Sequence, residues 1–116
     1  MDWIEINDAG AVSTLLSKSI DTPEKVFVVF KHSTRCGTSR MARILFESEW
    51  TISEPVYLIN VVESRAASDA LESIFGVIHE SPQAVAIRNG KCVYHNSHSG
   101  INAPDFLNLV SSNQTS

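Results

Sequence analysis

Two apolar runs constrain this chain more than any other feature. Val26-Phe27-Val28-Val29-Phe30 is an unbroken β-branched and aromatic stretch between Lys25 and Lys31, and Val56-Tyr57-Leu58-Ile59-Asn60-Val61-Val62 is a second. Continuous apolarity, rather than alternation, marks strands buried on both faces. Between them, from Cys36 on, Arg40, Ala42 and Arg43 favour helix, and Met41, Ile44, Leu45 and Trp50 are expected to share its buried face. A strand, a helix and a second strand of this kind form a crossover in which the strands run parallel.

The remaining segments extend that unit. Asn7 or Asp8 can cap a helix carrying Val12, Leu15, Leu16 and Ile20, which Asp21-Thr22-Pro23 ends. Ser68 to Phe75 reads as a short helix closed by Gly76. Ala84 to Ile87 and Lys91 to Asn96 flank Asn89-Gly90, a strong hairpin signal, and Ala103 to Val110 is a final helix with Pro104 and Asp105 in its first turn. The order is α-β-α-β-α-β-β-α, an α/β chain with a mixed four-stranded sheet flanked by helices, which is the order of the thioredoxin fold. At 116 residues it is one domain, expected over 1–110, with a polar tail over 111–116 expected to fray.

Nine Lys and Arg against thirteen Asp and Glu give a net charge of −4, which disfavours a nucleic-acid partner held by phosphate contacts. The longest apolar run falls far short of the roughly 20 residues that span a bilayer, so no membrane partner is expected. Met1-Asp2-Trp3-Ile4-Glu5 carries acids where a secretory signal needs a basic start, making the cytoplasm the expected location. Two cysteines, Cys36 and Cys92, are too few for a disulfide framework or a Cys-rich zinc site.

Cys36 falls between the first buried strand and the start of the next helix. Unpaired N–H groups and the positive end of the helix dipole favour a thiolate there, and Arg35 and His32 add positive charge in the same loop. A free Cys is more often a buried structural residue, but the polar loop Lys31-His32-Ser33-Thr34-Arg35 argues against burial. Cys36 is therefore the expected nucleophile. In Cys36-Gly37-Thr38-Ser39, Ser39 stands where a dithiol site has its second Cys. Such a site attacks a disulfide and holds a mixed disulfide but cannot resolve it internally.

Ser81-Pro82 precedes the third strand. In the thioredoxin order a Pro at this place is cis, faces the reactive Cys, and leaves the backbone of the residue before it to dock substrate. Cys92 lies past the Asn89-Gly90 turn, on the order of 20 Å from Cys36 by strand rise, and is expected to have no catalytic role. His95 and His98, three apart on a strand, point to opposite faces and do not form a metal site. No metal is expected. Trp3 and Trp50 read as packing residues.

Phe30-Lys31-His32-Ser33-Thr34-Arg35-Cys36 with Ser39 and Ala42 to Phe46, then Gly76-Val77 and His79-Glu80-Ser81-Pro82-Gln83, then Asn89-Gly90-Lys91 to Ser97-His98, resemble the YtxJ family, the monothiol bacilliredoxins. The chain departs from that family at Gly37, where a Pro usually follows the Cys. Gly at this position is similar to monothiol glutaredoxins, but Thr38 replaces their Phe and no Gly-Gly-Asp run lies near Gly100. The resemblance implies a thiol–disulfide oxidoreductase that removes bacillithiol, or a similar small thiol, from S-thiolated client proteins through Cys36. Arg35 would stabilise the thiolate, with Gly37, Ser39 and His32 shaping the site. Ser81 and Pro82 would dock the disulfide, and a small thiol or a reductase would complete the cycle. Two rival readings are a redox-silent binding module of the same fold and a glutaredoxin-like carrier of a [2Fe–2S] cluster between two chains.

Overall fold

A computed structural model describes residues 1–35 and 37–114. The elements are β1 (Trp3–Glu5), α1 (Ala9–Asp21), β2 (Phe27–His32), α2 (Gly37–Glu49), β3 (Val56–Asn60), α3 (Arg65–Phe75), β4 (Gln83–Arg88), β5 (Lys91–Ser97), a 3₁₀ turn at His98–Gly100 and α4 (Ala103–Gln114). They build one sheet in the order β1-β3-β2-β4-β5. β1, β3 and β2 run parallel, and β4 and β5 are antiparallel. The four-stranded expectation is corrected to five strands. Trp3-Ile4-Glu5 is too short to show a period, and becomes a strand because it pairs with the otherwise open edge of β3.

The central strand behaves as its apolar run requires. All six residues of β2 are buried, and alternate side chains feed two cores. Phe27 and Val29 pack with Val12, Leu15 and Leu71, the inward faces of α1 and α3. Val28 and Phe30 pack with Phe46 and Phe106, those of α2 and α4. This places the start of α2 at the C-terminal end of β2, with the turns after β3 and before β4 beside it.

Local signals hold where backbone geometry decides. Asp8 caps α1 by accepting from the Ala11 N–H at 2.8 Å, and Gly76 ends α3 in the left-handed region at φ 71°. Asn89 and Gly90 both take positive φ, as a tight hairpin requires. β3 stops at Asn60 rather than Val62 because the Asn60 Oδ1 accepts from the Val62 and Glu63 N–H groups and turns the chain. α3 accordingly begins at Arg65, three residues before Ser68. α4 runs to Gln114, so the tail expected to fray from 111 continues the helix that far.

The face expected for α2 is corrected. Met41, Ile44 and Leu45 are 67%, 60% and 57% exposed, whereas Ser39, Phe46 and Trp50 are buried. Phe46 stacks on Trp50 at 5.3 Å and meets Phe30 and Phe106 at 5.3 and 5.9 Å, and this aromatic packing turns the helix away from its aliphatic stripe. Ile20 is likewise exposed, and Ser19 takes the inward place on α1. Among the described residues, no helix is long and apolar enough to cross a membrane.

Candidate active site

Cys36 lies outside the described residues, so the site is built from the groups around it in the chain. Thr34 and Arg35 form a turn after β2, and α2 begins at Gly37. The first turn of α2 holds no acid, and its leading N–H groups have no partner within the helix. Arg35 precedes this terminus and Arg40 lies in its first turn, so the end that carries the dipole's positive charge also carries cations.

Ser39 is completely buried in that first turn. Its Oγ accepts from the Ser33 N–H at 2.9 Å and sits 3.0 Å from Nδ1 of His32, the last residue of β2. Burial first, then the Arg43 and Arg40 charges, hold His32 below its ordinary pKa. The charged form of His32 is thereby disfavoured, and a hydrogen bond joins Ser39 Oγ to His32 Nδ1. The seryl hydroxyl is thus a clamp joining strand, loop and helix. A position expected to matter for what it cannot do in redox chemistry also has a structural task.

The Ser81–Pro82 peptide is cis. The loop carrying it is tied to the adjoining end of the edge strand β5 and the 3₁₀ turn that follows it. Glu80 accepts a short hydrogen bond from Ser97 Oγ and pairs with His98 Nε2 at 3.6 Å, while the Pro82 carbonyl accepts from the His98 N–H at 3.0 Å. The Ser97 bond and the His98 charge hold the Glu80 carboxyl below its ordinary pKa. The Ser81 Oγ is buried and has no partner among the described residues.

Sequence reasoning missed the cluster on the opposite face of β2. Lys31 is completely buried, and its Nζ donates to His79 Nδ1 at 2.6 Å. Ser68 Oγ lies 3.2 Å from the same nitrogen, and the His79 N–H donates to Glu72 Oε1 at 2.6 Å. Burial pushes the Lys31 ammonium down to about 8 against the pull of Glu72, Asp69 and Glu80. His79 is lowered by burial and then by Lys31. Lys31 follows Phe27 and Val29 at period two, which puts an ion where a core residue belongs, and that alternation was the available signal.

Cys92 stands apart. It pairs with Ile87, which pairs with Phe27 at the start of β2, about 17 Å of strand rise from the end of β2 at His32. Burial pushes its thiol up, and the S–H donates weakly to the Tyr94 carbonyl at 3.6 Å. His95 lies opposite Val85 on β5, while His98 has turned into the 3₁₀ turn at φ 53°. Both tryptophans pack. Trp3 Nε1 donates to Glu47 under the Arg43 guanidinium, and Trp50 Nε1 donates to the Glu54 carbonyl.

The chain is similar to solved thioredoxin-fold proteins along nearly its whole length. One, described as a candidate oxidoreductase with a thioredoxin fold, is 26% identical with a TM-score of 0.78, covering 92% of both chains. The reduced thioredoxin pre-protein of Schistosoma mansoni is 19% identical, TM-score 0.67, covering 97% of this chain and 98% of its own. Fasciola hepatica thioredoxin is also 19% identical at TM-score 0.67, covering 95% and 98%. Those two share the fold alone. The family model described as monothiol bacilliredoxin BrxC matches residues 4–106, and the chain belongs to that family of thioredoxin-like redox proteins.

Proposed function

We propose that this protein is a monothiol thiol–disulfide oxidoreductase that removes bacillithiol from S-thiolated client proteins through Cys36. The observation that carries the reading is the start of α2. A helix terminus without acids, flanked by Arg35 and Arg40, follows directly on the one cysteine of the loop, and the second redox position is a buried, hydrogen-bonded Ser39. Such a terminus lowers a thiol pKa and favours the thiolate at neutral pH.

The reaction balances in two exchanges. The Cys36 thiolate attacks the bacillithiol sulfur of the mixed disulfide. That S–S bond breaks, a new one joins Cys36 to bacillithiol, and the client cysteine leaves as thiolate and takes a proton from solvent. A second thiolate, from a free small thiol or a reductase, then attacks the adduct and releases Cys36. Ser39 has no sulfur with which to do this, and its hydroxyl is engaged by Ser33 and His32. The backbone at Ser81, before the cis Pro82, is the docking edge for the client disulfide.

The test is mass spectrometry of the reduced protein mixed with a bacillithiolated client, with Cys36→Ser alongside. A bacillithiol adduct on the wild-type chain that disappears in the variant supports the reading. Equal release of the client thiol by the variant refutes it.

A further inference from the structure

A cleft of about 460 Å³ opens beside the turn that carries Arg35, lined by Arg35, Arg65, Ser68, Asp69 and His79 together with Val61 and Val62. That volume falls in the range of small-molecule sites. Its place, where the segments leaving β2 and β3 meet α3, is the carboxyl end of parallel strands, where open α/β sheets bind ligands.

The lining is chemically selective. In a chain of net charge −4, two guanidinium groups converge on one cleft, and neither makes an ion pair with another described residue. Arg65 opens α3, a helix of 11 residues whose cap residue Ser64 makes no side-chain hydrogen bond to it, so first-turn N–H groups remain for an anion. His79, hydrogen-bonded to the buried Lys31, also lines the cleft, and Asp69 is the one acid of the lining. Two cations, a helix terminus and a single carboxylate suit a ligand bearing carboxylates and one amino group.

We propose that this cleft binds the body of the small thiol beside its sulfur, with its carboxylates between Arg35 and Arg65 at the start of α3 and its amino group, nearer the sulfur, against Asp69. This rests on the reading of Cys36 as the residue that accepts the thiol. Bacillithiol has the matching groups: two carboxylates on its malate and one amine on its cysteine. The cleft then supplies selectivity for the thiol being removed, while the Ser81 backbone handles the client.

The experiment is calorimetric titration of the Cys36→Ser chain, which cannot exchange at position 36, with bacillithiol disulfide, glutathione disulfide and cystamine. The same titrations are run with Arg65→Gln and Arg65→Lys added. Arg65 is exposed, so neither substitution disturbs the core. Saturable binding of bacillithiol disulfide weakened about tenfold by Arg65→Gln and less by Arg65→Lys, with no saturable binding of cystamine, is the expected result. Unchanged affinity in Arg65→Gln, or no saturation with bacillithiol disulfide up to about 10 mM, overturns it. Tighter binding of glutathione disulfide overturns the assignment to bacillithiol. Binding as expected beside a wild-type chain that forms no adduct sinks the redox reading and leaves the cleft assignment standing.

Discussion

Lys31→Met tests whether the buried lysine is a cost to the fold. The ammonium is completely buried and donates to a neutral imidazole rather than a carboxylate. Its displacement from 10.5 to about 8 shows the fold disfavouring the charged form. That displacement corresponds to about 3 kcal/mol, and discounting by half, because the His79 side chain that Nζ meets is itself exposed and screened, leaves about 1.5 kcal/mol. The unfolded chain binds the proton up to about 10.5 and the folded chain only up to about 8, so wild-type stability rises with pH through that window. Below pH 8 both states carry the charge and the penalty is present in full. Methionine has a similar shape and no charge, and His79 keeps Ser68 as a neighbour. Lys31→Met is therefore expected to melt about 6 °C higher than wild type at pH 7, using about 0.24 kcal/mol per degree for a chain of this size. The advantage should shrink to about a quarter by pH 10. Differential scanning calorimetry of both proteins from pH 6 to 10 reads it directly. A variant that melts lower at pH 7, or a difference that does not change with pH, would refute the reasoning.

Two further outcomes follow from the Ser39 clamp. Ser39→Ala leaves the Ser33 N–H and His32 Nδ1 without their shared oxygen, and should lower stability by about 1–3 kcal/mol in urea unfolding. A midpoint equal to wild type would show that the hydroxyl holds nothing together. His32 should titrate below its ordinary value, since burial and the neighbouring arginines disfavour its charge. Its contribution to stability is then lost as pH falls below about 6.5, where the unfolded chain protonates first. Imidazole nitrogen shifts measured by NMR would contradict this if the ring titrates at or above the free value.

Much of the frame is legible in the linear sequence. An unbroken apolar run can be satisfied only by burial on both faces, and β2 is buried at all six positions. Asp8, Gly76 and Asn89-Gly90 encode turns and caps through their own backbone preferences, which neighbouring elements scarcely alter. The family resemblance also lay in the linear sequence, because its motifs are contiguous. The face of α2 was not legible. Three aliphatic residues and two aromatics competed for it, and the outcome depends on Phe30 and Phe106, which are distant in sequence.

The sequence by itself determined the parallel crossover, the hairpin, and the placing of Cys36 between a strand and a helix, since these follow from period and local backbone preference. Only the tertiary structure decided which groups from distant segments come together near the start of α2. β1 exists because β3 had an open edge. Lys31 and His79 meet across 48 residues because β2 lies beside the turn that leaves α3. Arg35 and Arg65 line one cleft because strand ends bring separate turns together. Hydrogen bonds and ion pairs act over a few ångströms of space, and the folded sheet sets which residues come within that range.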